Sequence, residues 1–342
     1  MRFPLSMIAG MASYIARNKL RPRAEWQRDK SAARFPLVLM LEPLHACNLS
    51  CAGCGRIREY EATITQKISV EKCLAAADEC GAPIVSVCGG EPLLYAEIGP
   101  LVAELLARGK HIYLCTNGML LRKRLGEFTP NKRLFFNVHL DGLEETHDRC
   151  VERKGVFREA VEGLKAAKQA GFKVSTNTTI YHETDMREIE QLLELLEPFK
   201  LDGHMLSPAY GYTSVDDREI FMTRDDVHEK FKDIERLARR FRLNSTPAYL
   251  DFLQGKRDLP CTAWGNPTYN IMGWRSPCYM IADGHFQTFE RLMTATPWEK
   301  YGPGNDPRCE HCMMHCGFEP SAALGINSRA GDNLRQLRWI LR

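Results

Sequence analysis

The chain has 342 residues, 44% of them apolar and 26% charged, with a formal net charge of +3. That length buries a full core in one large or two modest domains, and the composition excludes disordered and membrane-spanning classes. So small a net charge offers no concentrated basic face for nucleic acid.

The first stretch, "MRFPLSMIAGMASYIARNKLRPR", carries an apolar run from Leu5 to Ala16. It is far short of the ~20 residues that span a bilayer. Leu5, Ile8, Ala12 and Ile15 share one face of a short amphipathic helix. Packing on the protein's own body is the favoured destination. The alternative is a membrane interface, where anionic lipids would attract Arg17, Lys19, Arg21 and Arg23. A cleaved signal is a third reading of the early Arg2 and the run after it.

From residue 36 to 210 strands and helices alternate. Strands are predicted over 36–43, 83–92, 110–118, 133–142, 172–180 and 201–210. Helices are predicted over 69–81, 97–109, 119–125, 156–171 and 186–199. Short connections imply parallel strands joined by right-handed crossovers, and the apolar strands imply that helices cover them. The expected architecture is α/β: a partial (β/α)6 TIM-like barrel. Its chemistry belongs at the C-terminal strand ends. "CGGEP", "CTNG", "HLDG", "STNTT" and "SPAY" all fall there.

Residues 1–35 then read as an N-terminal amphipathic and basic segment, 36–210 as the barrel core, 211–258 as a helical connector and 259–342 as a small, irregular Cys-rich domain.

The thirteen cysteines are not spaced like disulfides. Six sit in two tight groups, Cys47, Cys51 and Cys54, and Cys309, Cys312 and Cys316. Such grouping in a large chain reads as metal ligation. The first group, C-x3-C-x2-C, has one thiolate too few to fill a [4Fe–4S] cube, which leaves one iron open. In the second, C-x2-C-x3-C needs a partner from afar. Cys278 is preferred and Cys261 is the rival, with zinc and a second [4Fe–4S] cluster both suitable. His311 and His315 fit outer positions. Cys73, Cys80 and Cys150 read as ordinary thiols.

C-x3-C-x2-C after a first strand, facing "GGEP" after a second, resembles the radical S-adenosylmethionine superfamily. The resemblance implies a [4Fe–4S] cluster on Cys47, Cys51 and Cys54 and S-adenosylmethionine on the open iron. Gly89, Gly90, Glu91, Thr116 and Asn117 are then expected at its methionine end, and Asp141, Ser175 and Asn177 at its carboxylate or ribose. Many members carry an aromatic residue before the third cysteine. Here Gly53 stands there, which reads as room for an adenosyl group that is consumed. A zinc scaffold without catalysis leaves GGEP unexplained.

Longer stretches, among them "LEPLHACNLSCAGCGRI", "IYLCTNGMLLRK" and "LPCTAWGNPTYNIMGWRSPCYMIADG", resemble the adenosylhopane synthase family of hopanoid biosynthesis. That resemblance implies addition of the 5′-deoxyadenosyl radical to the alkene of diploptene, with flavodoxin or ferredoxin as electron donor. It implies a cytoplasmic enzyme, peripheral on the inner face of the membrane. The product radical needs a hydrogen atom, for which Cys115 is the expected donor and Cys88 the competitor. Trp264, Tyr269, Trp274 and Tyr279 are expected to wall an apolar pocket. Cys88 and Gly118 depart from that family's pattern. The alternative is an auxiliary-cluster radical enzyme that acts on a peptide or other substrate by hydrogen abstraction.

Overall fold

A computed structural model describes residues 5–20 and 34–341. Six parallel strands form in the predicted places. They are β1 (Val38–Leu41), β2 (Ile84–Val87), β3 (His111–Thr116), β4 (Leu134–His139), β5 (Lys173–Ile180) and β6 (Gly203–Pro208). Three strands that the sequence did not announce follow: β7 (Thr268–Asn270), β8 (Gly273–Pro277) and β9 (Ala282–Phe286). The nine-stranded sheet runs β6-β5-β4-β3-β2-β1-β7-β8-β9. β7 pairs with β1 in parallel, and the β7–β8–β9 meander is antiparallel. The Cys-rich region is therefore built onto the open edge of the barrel sheet.

Strand alternation sorts side chains into two faces. Leu39, Leu41, Val85, Val87, Ile112, Leu114, Phe136, Val138 and Val174 face outward into one core with the helices. Helix Val156–Gln169 supplies Phe157, Ala160 and Leu164 to it and is capped by Gly155, at φ +84°. Helix Val70–Cys80 starts on a Ser69 cap and stops at Gly81, as the pattern required. The opposite residues, Ser86, Tyr113, Cys115, Asn137, His139, Ser175 and Asn177, line the concave face. A second core joins the helices of 224–253 to Phe318 and Met313.

The N-terminal helix spans Leu5–Lys19. Met7 is buried, and Met11, Tyr14 and Ile15 pack on Phe35, Leu37 and Leu324. Tyr14 donates to the Pro36 carbonyl at 2.9 Å. The helix thus packs on the body, but with a different face from the one expected: Leu5 and Ala12 are exposed. Arg2, Arg21 and Arg23 lie outside the described residues. Among the described residues no helix is long and apolar enough to cross a membrane.

Phe136 is fully buried, edge-on to Phe128 and Phe172. Phe136→Ala is expected to cost about 3–5 kcal/mol by cavity formation, read in urea unfolding.

Candidate active site

The loop after β1 brings Cys47, Cys51 and Cys54 to the C-terminal rim, all three unpaired and partly exposed. Burial pushes the Cys47 thiol up to about 11 and raises Cys51 as well; neighbouring cysteine sulfurs add to both. Three thiols grouped in one loop suit a cation that replaces their protons.

Gly89 and Gly90 hold this loop. A Cβ on Gly89 would lie 2.4 Å from the Leu44 carbonyl oxygen, and one on Gly90 2.0 Å from that of Ala46. Gly90 N–H donates to Leu44 and Glu91 N–H to Ala46, at 3.2 and 2.8 Å. The glycines are thus needed for backbone contact with the cysteine loop, in addition to any contact with a ligand. Glu91 was expected at an ammonium group. Instead its carboxylate accepts from Leu93 N–H, Thr116 Oγ1 and Asn117 N–H at 2.8–2.9 Å. Asn117 Nδ2 donates to Asn48 Oδ1 at 2.7 Å, beside Cys47. Glu91, Thr116 and Asn117 brace the loop from behind.

Asp141 is buried as well. It pairs with His139 Nε2 at 2.6 Å and accepts from Thr179 N–H at 2.7 Å. Ser175 donates to Asn137 Oδ1 at 2.9 Å. These side chains are engaged within the protein rather than presented to a ligand. Asn177 differs: its Oδ1 is buried with no partner. That orphaned acceptor, with the three free thiols, fits a [4Fe–4S] cluster and S-adenosylmethionine at this rim. The cluster would sit on Cys47, Cys51 and Cys54, and Asn177 would meet a nucleoside hydroxyl.

Gly53 is not bare. A Cβ there would lie 2.5 Å from the Tyr181 ring and hydroxyl. An aromatic residue from the end of β5 fills the space that the sequence left empty, so the reading of Gly53 as extra room is corrected. Gly118, at φ +82°, is likewise explained by packing: its Cβ would meet Ala160 at 2.8 Å.

Cys115 lies on the concave face, with Ser86 Oγ at 3.4 Å and Asn137 Nδ2 at 3.8 Å from its sulfur. Burial raises its thiol pKa. Cys88 is buried one strand over, against Tyr279. Of the four aromatic residues expected to wall a pocket, only Tyr279 is near. Trp274 is fully buried in the main core with Tyr269 against it, and Trp264 packs near Phe35.

Cys261, Cys278, Cys309, Cys312 and Cys316 all line one small pocket. Both candidates for the fourth ligand, Cys278 and Cys261, stand at this pocket with the triplet. Burial pushes Cys309 up to about 11 and Cys312 to about 12. His315 turns away, to Ser207 Oγ at 3.0 Å. Among the described residues no His, Cys, Asp or Glu group converges on a single metal ion. Zinc on four thiolates and a [4Fe–4S] cluster with one iron per thiolate are both chemistries this donor set offers.

Contacts that link the two cysteine groups leave no mark in the sequence. Arg56, two residues past Cys54, is buried in an ion pair with Glu42 at 3.0 Å. Its guanidinium lies 3.9 Å from the Tyr279 ring centroid. Arg275 donates to the Cys278 carbonyl at 3.1 Å, pairs with Glu59 at 3.0 Å and reaches the Tyr60 hydroxyl. Tyr212 lies on Gly55, edge-on to Tyr210 in the second cavity. Buried Arg and Tyr at such spacing carry no periodic signature.

Fold and site together resemble the core of radical S-adenosylmethionine enzymes. Residues 41–196 match the radical SAM superfamily model, and 204–336 match a domain of unknown function. The chain is 25% identical over 310 residues to the antilisterial bacteriocin subtilosin biosynthesis protein AlbA of Bacillus subtilis, covering 83% of this chain and 66% of that protein. It is 30% identical over 169 residues to the Fe-coproporphyrin III synthase of Methanosarcina barkeri, covering 48% and 42%. It spans less than two thirds of the length of either relative. Streptococcus suis SuiB bound to its precursor peptide SuiA shares the fold at TM-score 0.63 and 14% identity, over 92% of this chain and 80% of that one. anSMEcpe with bound AdoMet does so at 0.58 and 15%, over 90% and 97%.

Two outcomes follow. Gly90→Ala should lower iron bound after anaerobic reconstitution by about four atoms per chain. Gly126→Ala, which meets nothing within 4 Å, should leave iron unchanged; elemental analysis decides. Burial lifts the Glu91 carboxyl from 4.5 to about 6. A carboxyl that titrates higher when folded stabilises most below 4.5 and loses that as the pH rises through 6. The loss is about 2 kcal/mol. Glu91→Gln does not titrate, so its unfolding free energy should lack this fall. A variant with the wild-type slope would contradict the assignment.

Proposed function

We propose that this enzyme modifies a peptide held on the concave face of the sheet, by abstraction of a substrate hydrogen, with Cys115 as hydrogen-atom donor to the substrate radical. The observation that carries the reading is the polar layer around Cys115. Ser86 and Asn137 flank the thiol, Ser175 extends the layer behind Asn137, and Asn177 on the same strand as Ser175 leaves an amide oxygen free. Such a surface suits the amides of an extended chain. AlbA, a bacteriocin biosynthesis protein, and SuiB, bound to a precursor peptide, support a peptide substrate.

The cluster and S-adenosylmethionine supply the 5′-deoxyadenosyl radical when bound. The protein's residues do the rest. Gly89, Gly90 and Glu91 hold the cysteine loop against the strand ends, and Tyr181 closes its far side. Cys115 is a neutral thiol at physiological pH, so its S–H bond is intact for transfer. Breaking S–H forms the product C–H bond, and a hydrogen lost from one face of the carbon and regained on the other leaves that carbon inverted. One electron from a ferredoxin or flavodoxin and one proton restore the thiol. The cavity of Cys261, Cys278, Cys309, Cys312 and Cys316 suits an auxiliary [4Fe–4S] cluster.

A second reading keeps the same donor for a different substrate, with the adenosyl radical added to the alkene of a hopanoid such as diploptene. The thiol favours it, since an addition radical must be quenched. The displaced aromatic residues do not: a hydrocarbon pocket needs apolar walls, and Trp264, Tyr269 and Trp274 are engaged elsewhere.

Reduced, reconstituted enzyme incubated with S-adenosylmethionine and either candidate peptides or diploptene separates the readings by mass spectrometry. Free 5′-deoxyadenosine together with a peptide that gains one deuterium in D2O, where the Cys115 thiol is deuterated, supports the first. An adenosyl–lipid adduct would overturn it in favour of the second.

A further inference from the structure

The layer that holds Cys115 crosses four strands. Cys115, Asn137 and Ser175 stand directly across from one another on β3, β4 and β5, and Ser86 joins from β2. A polar residue in the middle of the apolar run "LFFNVHL" is unusual, and Asn137 is nearly buried there. Its amide has a fixed sense. Ser175 Oγ–H donates to Asn137 Oδ1 at 2.9 Å, which turns Nδ2 toward the Cys115 sulfur. A buried serine thus serves only to orient a second residue, which in turn contacts a third.

We infer that Asn137, oriented by Ser175 and assisted by Ser86, is a positioning residue for the Cys115 sulfur, fixing the thiol in one place on the concave face. This rests on the reading of Cys115 as hydrogen-atom donor. A thiol otherwise samples the three staggered χ1 wells, only some of which aim at a substrate. The Asn137 amide can only donate, so its contact falls on a sulfur lone pair and not on the S–H hydrogen; Ser86 Oγ lies at 3.4 Å, where either group can donate. Delivery from one fixed direction also sets the face at which the substrate carbon receives it. Ser175, expected from the sequence at a cofactor, thereby acquires a role one residue removed from the donor.

Hydrogen bonds to sulfur favour the thiolate, so their loss is readable in the thiol's titration. Glu91, Cys88 and Tyr113 also face this sulfur and stay unchanged in every variant. The test is iodoacetamide alkylation of reconstituted holoenzyme over a pH series, with Cys115 followed by peptide mass spectrometry. Asn137→Leu keeps the bulk and removes the donor. The midpoint of its profile should move up, so that alkylation below the midpoint falls about fivefold relative to the plateau, as for one lost hydrogen bond. Ser175→Ala should move it the same way by less, and Ser175→Thr should restore the wild-type midpoint. Altered access changes the plateau and not the midpoint. Midpoints unmoved in Asn137→Leu and Ser175→Ala would overturn the inference, as would Ser175→Thr behaving like Ser175→Ala. If Asn137→Leu does not fold, the two Ser175 variants decide. The midpoint reads the cradle without turnover, so its failure leaves the donor role standing. An unchanged product from Cys115→Ala would remove the donor role instead.

Discussion

Arg56 is the constraint on which the rest of the structure depends. Its guanidinium is buried two residues past Cys54, paired with Glu42 at the end of β1 and stacked on Tyr279, the neighbour of Cys278. A buried charge with one partner removed typically costs 3–5 kcal/mol, on the order of a large share of a domain's stability. The loop that carries the first cysteines therefore cannot shift without disturbing the hairpin that carries Cys278. Arg275 repeats the arrangement, joining Glu59 and Tyr60 to the backbone of Cys278 and Met280. The cysteine loop and Cys278, 224 residues past Cys54 (278 − 54), are thereby tied together.

That rigidity divides labour among the polar residues of the rim. Glu91, Thr116, Asn117 and Asp141 face inward and hold backbone, where their hydrogen bonds are satisfied. The free capacity lies elsewhere: in the cysteine thiols, in Asn177 Oδ1 and in the Cys115 S–H. Burial keeps every one of these thiols with a raised pKa protonated in the absence of metal. The consequence differs by place. Grouped thiols await a cation to displace their protons. The solitary Cys115 keeps its hydrogen, as a hydrogen-atom donor must.

The barrel was legible because its signals are local and periodic. Each of the six parallel strands is a short apolar run between a helix stop and a polar loop, and Ser69 and Gly81 bound their helix as caps do. The three cysteines and GGEP were legible because their spacing is itself the chemistry. The meander β7–β9 was not, since its strands are three to five residues long and β8 and β9 each contain a Gly. Tyr181 against Gly53 was hidden because an aromatic residue 128 positions away fills the gap, a fact only the fold supplies. Trp274 looked available for a ligand because sequence does not say which face of a short strand is covered. Polar strand-end residues invited ligand roles, whereas most of them satisfy backbone in a crowded rim.

The central claim is that Cys47, Cys51 and Cys54 together support reductive cleavage of S-adenosylmethionine. Its most direct test is anaerobic incubation of reconstituted, dithionite-reduced enzyme with S-adenosylmethionine, with methionine and 5′-deoxyadenosine quantified. The account predicts both products from the wild type and from Cys115→Ala, and neither when Cys47, Cys51 and Cys54 are all replaced by alanine. Cleavage that survives the triple replacement, or a wild type that forms neither product, would contradict it.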